Sequence, residues 1–286
     1  MRETNRLKLL GRGVFERADI RKKNYILSSL NDNKNELIDL SLGSSDLKPP
    51  IDVINAIKKS LVNKDSSSYC LQAQTKPFRE SVASWCKNRF GVSVDPEEEV
   101  LFLIGSQEGT AHLPLAVLDP GQVGVILDPS YPSHRGGMVL AGAHVEKLLL
   151  RSNSSWEPNF SLFSASELEQ IKLMILGYPH NPTTTIGSQE TLDQAIRLGL
   201  KYNFVVANDN PYVDLALEGK APALLLSEGW KKCGVEFFSF SKAWSLGGFR
   251  LGFAVGAKPI ISALKQVKGF IDFNQSLSLQ ASFLHF

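Results

Sequence analysis

Cysteine is scarce in this chain, and the three present, Cys70, Cys86 and Cys233, form no Cys-x-x-Cys pair. An odd number at wide spacing argues against a disulfide framework or a thiolate metal site, and for reduced thiols in the cytoplasm. The five histidines include no His-Glu-x-x-His, so that zinc-hydrolase pattern is missing and no metal is expected. No apolar run approaches the ~20 residues that span a bilayer. The opening residues, Met1-Arg-Glu-Thr-Asn-Arg-Leu-Lys8, lack the apolar core of a secretory signal. The Asn-x-Ser triplets at Asn153, Asn159 and Asn274 are then chance matches to a glycan acceptor. Charge of one sign is lacking too. Thirty-one basic residues against 29 acidic ones leave +2, too little to draw nucleic acid or an anionic membrane. What is left is an ordinary globular composition, 43% hydrophobic and 21% charged, with no internal repeat. Its 286 residues suffice for one large core or two modest domains.

From Val100 onward, short apolar runs occur at 100–104, 123–127, 145–150, 172–176, 204–207, 235–240 and 251–255. Amphipathic stretches such as 189–202 and 259–267 lie between or after them. This alternation predicts an α/β fold, a mainly parallel sheet sandwiched by helices. Ligands in such sheets sit beyond the carboxyl ends of the strands. Upstream, residues 1–43 are polar and helix-prone, with Leu7, Leu10, Val14 and Phe15 as a short apolar pattern. Residues 21–35 read as a surface helix and linker, and 37–42 as a short strand ending at Gly43. Pro49-Pro50 opens a helix with Ile51, Ile54, Ile57 and Leu61 on one face. Pro77 opens another, striped by Phe78, Val82, Trp85 and Arg89.

One stretch concentrates chemistry: Ser239-Phe-Ser-Lys-Ala-Trp-Ser-Leu-Gly-Gly-Phe-Arg250. A lysine amine can condense with an aldehyde, while hydroxyls and a guanidinium can hold a phosphate. Alone, a Ser-x-Ser-Lys is more often a surface lysine beside a core strand. Five further motifs accompany it: Leu42-Gly-Ser-Ser-Asp46, Gly105-Ser-Gln-Glu-Gly109, Asp128-Pro-Ser-Tyr-Pro132, Tyr178-Pro-His-Asn-Pro-Thr183 and Asp209-Asn-Pro-Tyr212. Taken in order, they resemble the class I/II aminotransferase family of fold-type-I pyridoxal 5′-phosphate (PLP) enzymes. The look is nearest to the diaminopimelate, alanine and aspartate aminotransferases.

The resemblance implies a role for each residue. Lys242 would bind PLP as a Schiff base and later shuttle the substrate's α-proton. Asp209, a carboxylate at the end of an apolar run and costly there without a partner, would pair with the pyridinium. Tyr212 and Asn181 would bond the phenolic oxygen, and Tyr131 would stack on the ring. Ser106, Gln107, Ser239, Ser241 and Arg250 would hold the phosphate, the first two at a helix N-terminus. Tyr69 would reach the phosphate of the neighbouring subunit, which implies a homodimer. Each also has a plainer reading: the 105–109 segment as a simple strand-to-helix turn, Tyr131 and Tyr69 as packing residues, Asn181 and Asp209 as turn chemistry. His134 and His144 read as structural. Three departures from the family stand out: Ser45 replaces a proline, Gln107 a lysine and Thr184 a glycine.

By the same resemblance, residues 1–43 form an arm and small-domain segment and 44–286 the PLP-binding large domain. The sequence stops before the region that carries the family's substrate-carboxylate arginine, so the small domain is expected to be incomplete. The activity implied is amino transfer between an amino acid and a 2-oxo acid. A PLP lyase or synthase of the same fold, or a truncated inactive chain that binds PLP, are the alternatives.

Overall fold

The computed structural model describes residues 3–29, 37–217 and 219–283. Seven strands form one sheet: β1 (Val100–Leu103), β2 (Val123–Asp128), β3 (His144–Leu149), β4 (Ile171–Leu176), β5 (Val205–Asp209), β6 (Gly234–Ser239) and β7 (Gly252–Gly256). Their spatial order is β1-β7-β6-β5-β4-β2-β3. β2 to β6 pair in parallel, and β7 runs antiparallel to both β6 and β1. Every apolar run therefore became a strand of a mainly parallel sheet, with ends displaced by at most two residues. The runs are continuous because both faces of the inner strands are covered. Along β1, Val100 and Phe102 enter one core layer while Leu101 and Leu103 enter the other.

Helices Ile51–Leu61, Lys76–Phe90 and Gln189–Tyr202 cover the first face. Ser106–Val117, Pro132–Ala141 and Lys258–Ile271 cover the second. Gln189–Tyr202 matches the predicted span. Ser188 Oγ caps its start by accepting from Thr191 N at 3.2 Å, and Asn203 ends it at φ +57°. Lys258–Ile271 is longer than the predicted 259–267 at both ends.

Three expectations need correction. Residues 37–42 are not a strand: the sheet's edges, β1 and β3, lie elsewhere, and Ile38 and Leu40 are 81% and 89% exposed. Helix Ile51–Leu61 buries Val53 and Ile57, while Ile51 and Leu61 face outward. In helix Lys76–Phe90, Cys86 completes the buried stripe of Phe78 and Val82, and Arg89 turns aside to pair with Asp214 at 2.9 Å. Of the predicted 21–35 segment, 21–29 is helical within Val14–Ser29, and 30–36 lies outside the described residues.

β1 runs parallel to β6, with β7 returning between them. The loops leaving β1, β2, β4, β5 and β6 and the loop entering β7 thus gather along one edge of the sheet. That edge carries five of the six motifs.

Candidate active site

At one end of this edge is an anion site. Helix Ser106–Val117 starts at Gly105, φ +80°, with no side-chain cap on its first turn. Its leading N–H groups and dipole are open to a negative ligand. The Arg250 guanidinium lies against that turn, and a Cβ on Gly105 would come within 2.7 Å of its Nη2. Arg250 itself sits at φ +55°. The strained backbone is tied down by Gln275 Nε2, which donates to the carbonyls of Phe249 and Arg250 at 3.1 and 3.0 Å. Ser239 pairs with Gly252 across β6 and β7, and the Ser241 N–H donates to Ser239 Oγ at 3.2 Å.

Gly252 makes this convergence sterically feasible. A Cβ there would fall 2.7 Å from the Phe238 carbonyl oxygen and 2.8 Å from both Gly105 C and Ser106 N. All three are backbone atoms that cannot rotate away. Gly252→Ala is therefore expected to cost about 1–3 kcal/mol of stability and to weaken phosphate binding by pushing the helix end off β7. Urea unfolding together with PLP titration checks both effects.

A buried carboxylate marks the other end. Asp209 closes β5 and is 7% exposed. Its Oδ2 lies 3.1 Å from His134 Nε2, while its Oδ1 is buried with no hydrogen-bond partner among the described residues. With Asp209 ionised, the ring proton sits on Nε2 and His134 donates. The structural role expected of His134 takes a specific form here, a buried contact with Asp209. The available signal was its place three residues after Tyr131, on the inner face of a helix that Pro132 opens. A buried, unpaired carboxylate oxygen is costly in isolation and suits a cationic N–H of a bound ring. The residues present therefore fit a pyridine cofactor.

Between these ends the predicted residues converge. Tyr131 Oη donates to Gln107 Oε1 at 3.1 Å, and its ring meets that of His134 edge-on at 6.2 Å. Burial pushes the Tyr131 hydroxyl pKa up; the negative charge of Asp209, and of Tyr212 in its phenolate form, adds to this, and Arg250 opposes it. Asn181 Nδ2 donates to Tyr212 Oη at 3.2 Å. Lys242 Nζ donates to the Gly43 carbonyl at 2.5 Å, and Ser45 Oγ bonds Ser245 Oγ at 2.8 Å, so the 42–46 motif lies over the lysine. Burial, then the Arg250 charge, lowers the Lys242 pKa below that of an ordinary lysine. Tyr69 is 87% exposed.

Thr184, where the family has glycine, adopts φ +63°. The loop around Asn181 holds it there: Thr184 N donates to the His180 carbonyl at 2.9 Å, and His180 N to that of Thr185 at 2.8 Å. Thr184→Gly should relieve this strain and raise stability by about 0.5–1 kcal/mol. A shift in the urea midpoint without loss of cofactor affinity is the expected result.

Glu108, His112 and Asp272 are spaced to ligate a metal. Lys268 Nζ already occupies that place, 2.9 and 3.0 Å from the two Glu108 oxygens and 2.6 Å from Asp272 Oδ1. Glu108 also accepts from Ile104 N at 2.5 Å, bracing the turn before Gly105. A separate groove of about 640 Å³, between helices Ile51–Leu61 and Leu277–Gln280, contains none of the site residues.

The family model for aminotransferase class I and II matches residues 35–284. The chain belongs to this family. Its PLP-dependent members transfer an amino group between an amino acid and a 2-oxo acid. Among curated aminotransferases, the LL-diaminopimelate aminotransferase of Aquifex aeolicus is 33% identical over 97% of this chain and 70% of its own length. The glutamate-pyruvate aminotransferase AlaC of Escherichia coli is 33% identical over 86% of this chain and 60% of its own length. Among solved aminotransferases, a probable N-succinyldiaminopimelate aminotransferase of Thermus thermophilus superposes with TM-score 0.89 at 37% identity, covering 96% of this chain and 72% of that one. The chain thus spans 60% to 70% of the length of these two curated aminotransferases. No helix among the described residues is long and apolar enough to cross a membrane.

Proposed function

We propose that this chain binds PLP along the carboxyl edge of its sheet and transfers an amino group between an amino acid and a 2-oxo acid. The observation that carries this reading is the unpartnered Oδ1 of buried Asp209, in one site with a half-buried lysine of lowered pKa and an open helix N-terminus. When bound, PLP supplies an electron-withdrawing ring that holds the electron pair released at the substrate's α-carbon.

The chain's residues then divide the work. The first turn at Ser106 and Gln107, with Ser239, Ser241 and Arg250, holds the phosphate. Tyr131 covers a ring face, and Asn181 and Tyr212 bond the phenolic oxygen. His134 holds Asp209 Oδ2 so that Oδ1 faces the ring nitrogen. Lys242 Nζ would anchor the cofactor and, once freed by the substrate amine, would take the proton from the substrate's α-carbon and pass it to the cofactor's C4′. A lysine with lowered pKa spends more time as the neutral base this step needs.

The reading includes a homodimer in which exposed Tyr69 serves the neighbouring site, with residues 44–286 as the cofactor domain and 1–43 as the arm. A cytoplasmic location fits the three buried free thiols. The names of the curated relatives favour amino transfer over elimination.

The test is to add PLP, confirm a visible band, and then supply a panel of amino acids. A 2-oxo acid should appear in step with the aminated cofactor by mass spectrometry. Ammonia release in place of the aminated cofactor would point to a lyase. A band that no amino acid alters would leave PLP binding alone.

A further inference from the structure

β6 carries one acid among Gly234, Val235, Phe237 and Phe238. Glu236 is 0% exposed. No cation pairs with its carboxyl group among the described residues, and its hydrogen-bond partners are neutral donors. Asn208 Nδ2 and Asn210 Nδ2 each donate to Oε1 at 2.8 Å, and Leu225 N donates to Oε2 at 3.2 Å. Burial pushes the Glu236 pKa up, and these donors pull against that. An apolar residue of similar volume would be the less costly occupant of such a place. The acid therefore calls for a reason.

Its partners supply one. Asn208 and Asn210 bracket Asp209 in sequence, and side chains alternate along a strand, so the two amides point to the face opposite the Asp209 carboxylate. Asn208 reaches further. Its Oδ1 accepts from Tyr178 N at 2.9 Å, and its Nδ2 donates to the Tyr178 carbonyl at 3.2 Å. Tyr178 opens the loop that presents Asn181 to Tyr212. Asn210 adds Nδ2 to the Pro222 carbonyl at 3.2 Å and its backbone N–H to the Phe237 carbonyl at 2.8 Å. One carboxyl group thus ties together the end of β5, the loop after β4 and the 222–225 turn.

We infer that Glu236 is a positioning residue which, through Asn208 and Asn210, fixes the backbone that aims Asp209 at the cofactor's ring nitrogen and Asn181 at its phenolic oxygen. What those two residues face rests on the reading under Proposed function; that they share an anchor does not. The chemistry requires an acid. Both oxygens must accept, and a glutamine amide would set one donor against another. An apolar replacement would leave two buried asparagine N–H groups unpaired.

The test uses Glu236→Gln and, should that variant fail to fold, Asn208→Ala, which keeps the acid and cuts its link to Tyr178. Val82→Ala, a cavity in the same core layer, calibrates loss of stability alone. Three quantities are read on the whole chain: the melting temperature, the PLP affinity by absorbance titration, and the His134 ring signals of the apoprotein by ¹⁵N NMR. Both site variants should weaken PLP binding about tenfold, the order that losing a supporting hydrogen bond costs a ligand-holding group. They should also shift the His134 signals, whereas Val82→Ala at matched loss of melting temperature does neither. Variants that melt earlier with unchanged affinity and unmoved His134 signals would reduce Glu236 to a structural acid. If the parent chain takes up no PLP, the functional reading fails separately, and the apoprotein His134 signals still decide this inference.

Discussion

Lys242→Ala is expected to erase the visible band of PLP-treated protein and to lower turnover by at least about 10⁴-fold, the upper range for a positioned general base. The size follows from two roles on one nitrogen. In the proposed function Nζ is both the anchoring nucleophile and the base that moves the α-proton, so one truncation removes both. Lys242→Arg should fail as well, because a guanidinium keeps the charge but cannot lose its proton at neutral pH. Noncovalent affinity should survive in part, since the helix end at Ser106, Arg250 and Asp209 are untouched. A small primary amine in solution should restore some proton transfer to the alanine variant and none to the arginine variant. A band of normal position and intensity in Lys242→Ala would move the anchoring role to another lysine and overturn the proposed site.

The sheet was legible because its inner strands are buried on both faces and read as unbroken apolar runs. Helix Gln189–Tyr202 was legible from its amphipathic pattern, and the structure ends it with a serine cap and a left-handed asparagine. The same apolar criterion misled at 37–42, where an apolar stretch lies outside the sheet and stays exposed. It also misled at Ile51–Leu61, where the buried stripe runs through Val53 and Ile57, because periodicity gives the spacing of a face and not which face meets the core.

At the candidate site, motif order already placed Tyr131, Asn181 and Tyr212 at loops after strands, and the structure brings them to one edge of the sheet. Their supports were not readable from motif order. His134 and Glu236 bond residues distant in sequence, 75 positions to Asp209 and 28 to Asn208, and only the fold brings them together. The clue to Glu236 was present all the same, as a single acid inside an apolar run. Thr184 shows the converse: a departure from the expected glycine that the surrounding hydrogen bonds tolerate at some cost in strain.

Asp209→Asn should move stability and activity in opposite directions. Without cofactor, the parent protein holds a carboxylate in a nearly dry site with one partner, His134, and one unpaired oxygen. Replacing that charge with a neutral amide of the same shape lowers the desolvation penalty. The apoprotein should gain about 1 kcal/mol, or roughly 2–4 °C in melting temperature for a chain of this size. Activity should meanwhile fall about 10³-fold, the order seen when one preorganised electrostatic partner is removed, because a neutral amide does not favour a protonated ring nitrogen. His134 Nε2 can still donate to the asparagine oxygen, so the local fold should persist and the loss should appear in kcat more than in KM. Calorimetry of the apoprotein and steady-state kinetics of the PLP-loaded enzyme give the two signs. Opposite signs are the mark of a carboxylate kept for its cofactor at the expense of the empty fold. If Asp209→Asn lowered both stability and activity, Asp209 would be a turn-capping residue whose buried oxygen serves the fold, and the cofactor would need another partner for its ring nitrogen.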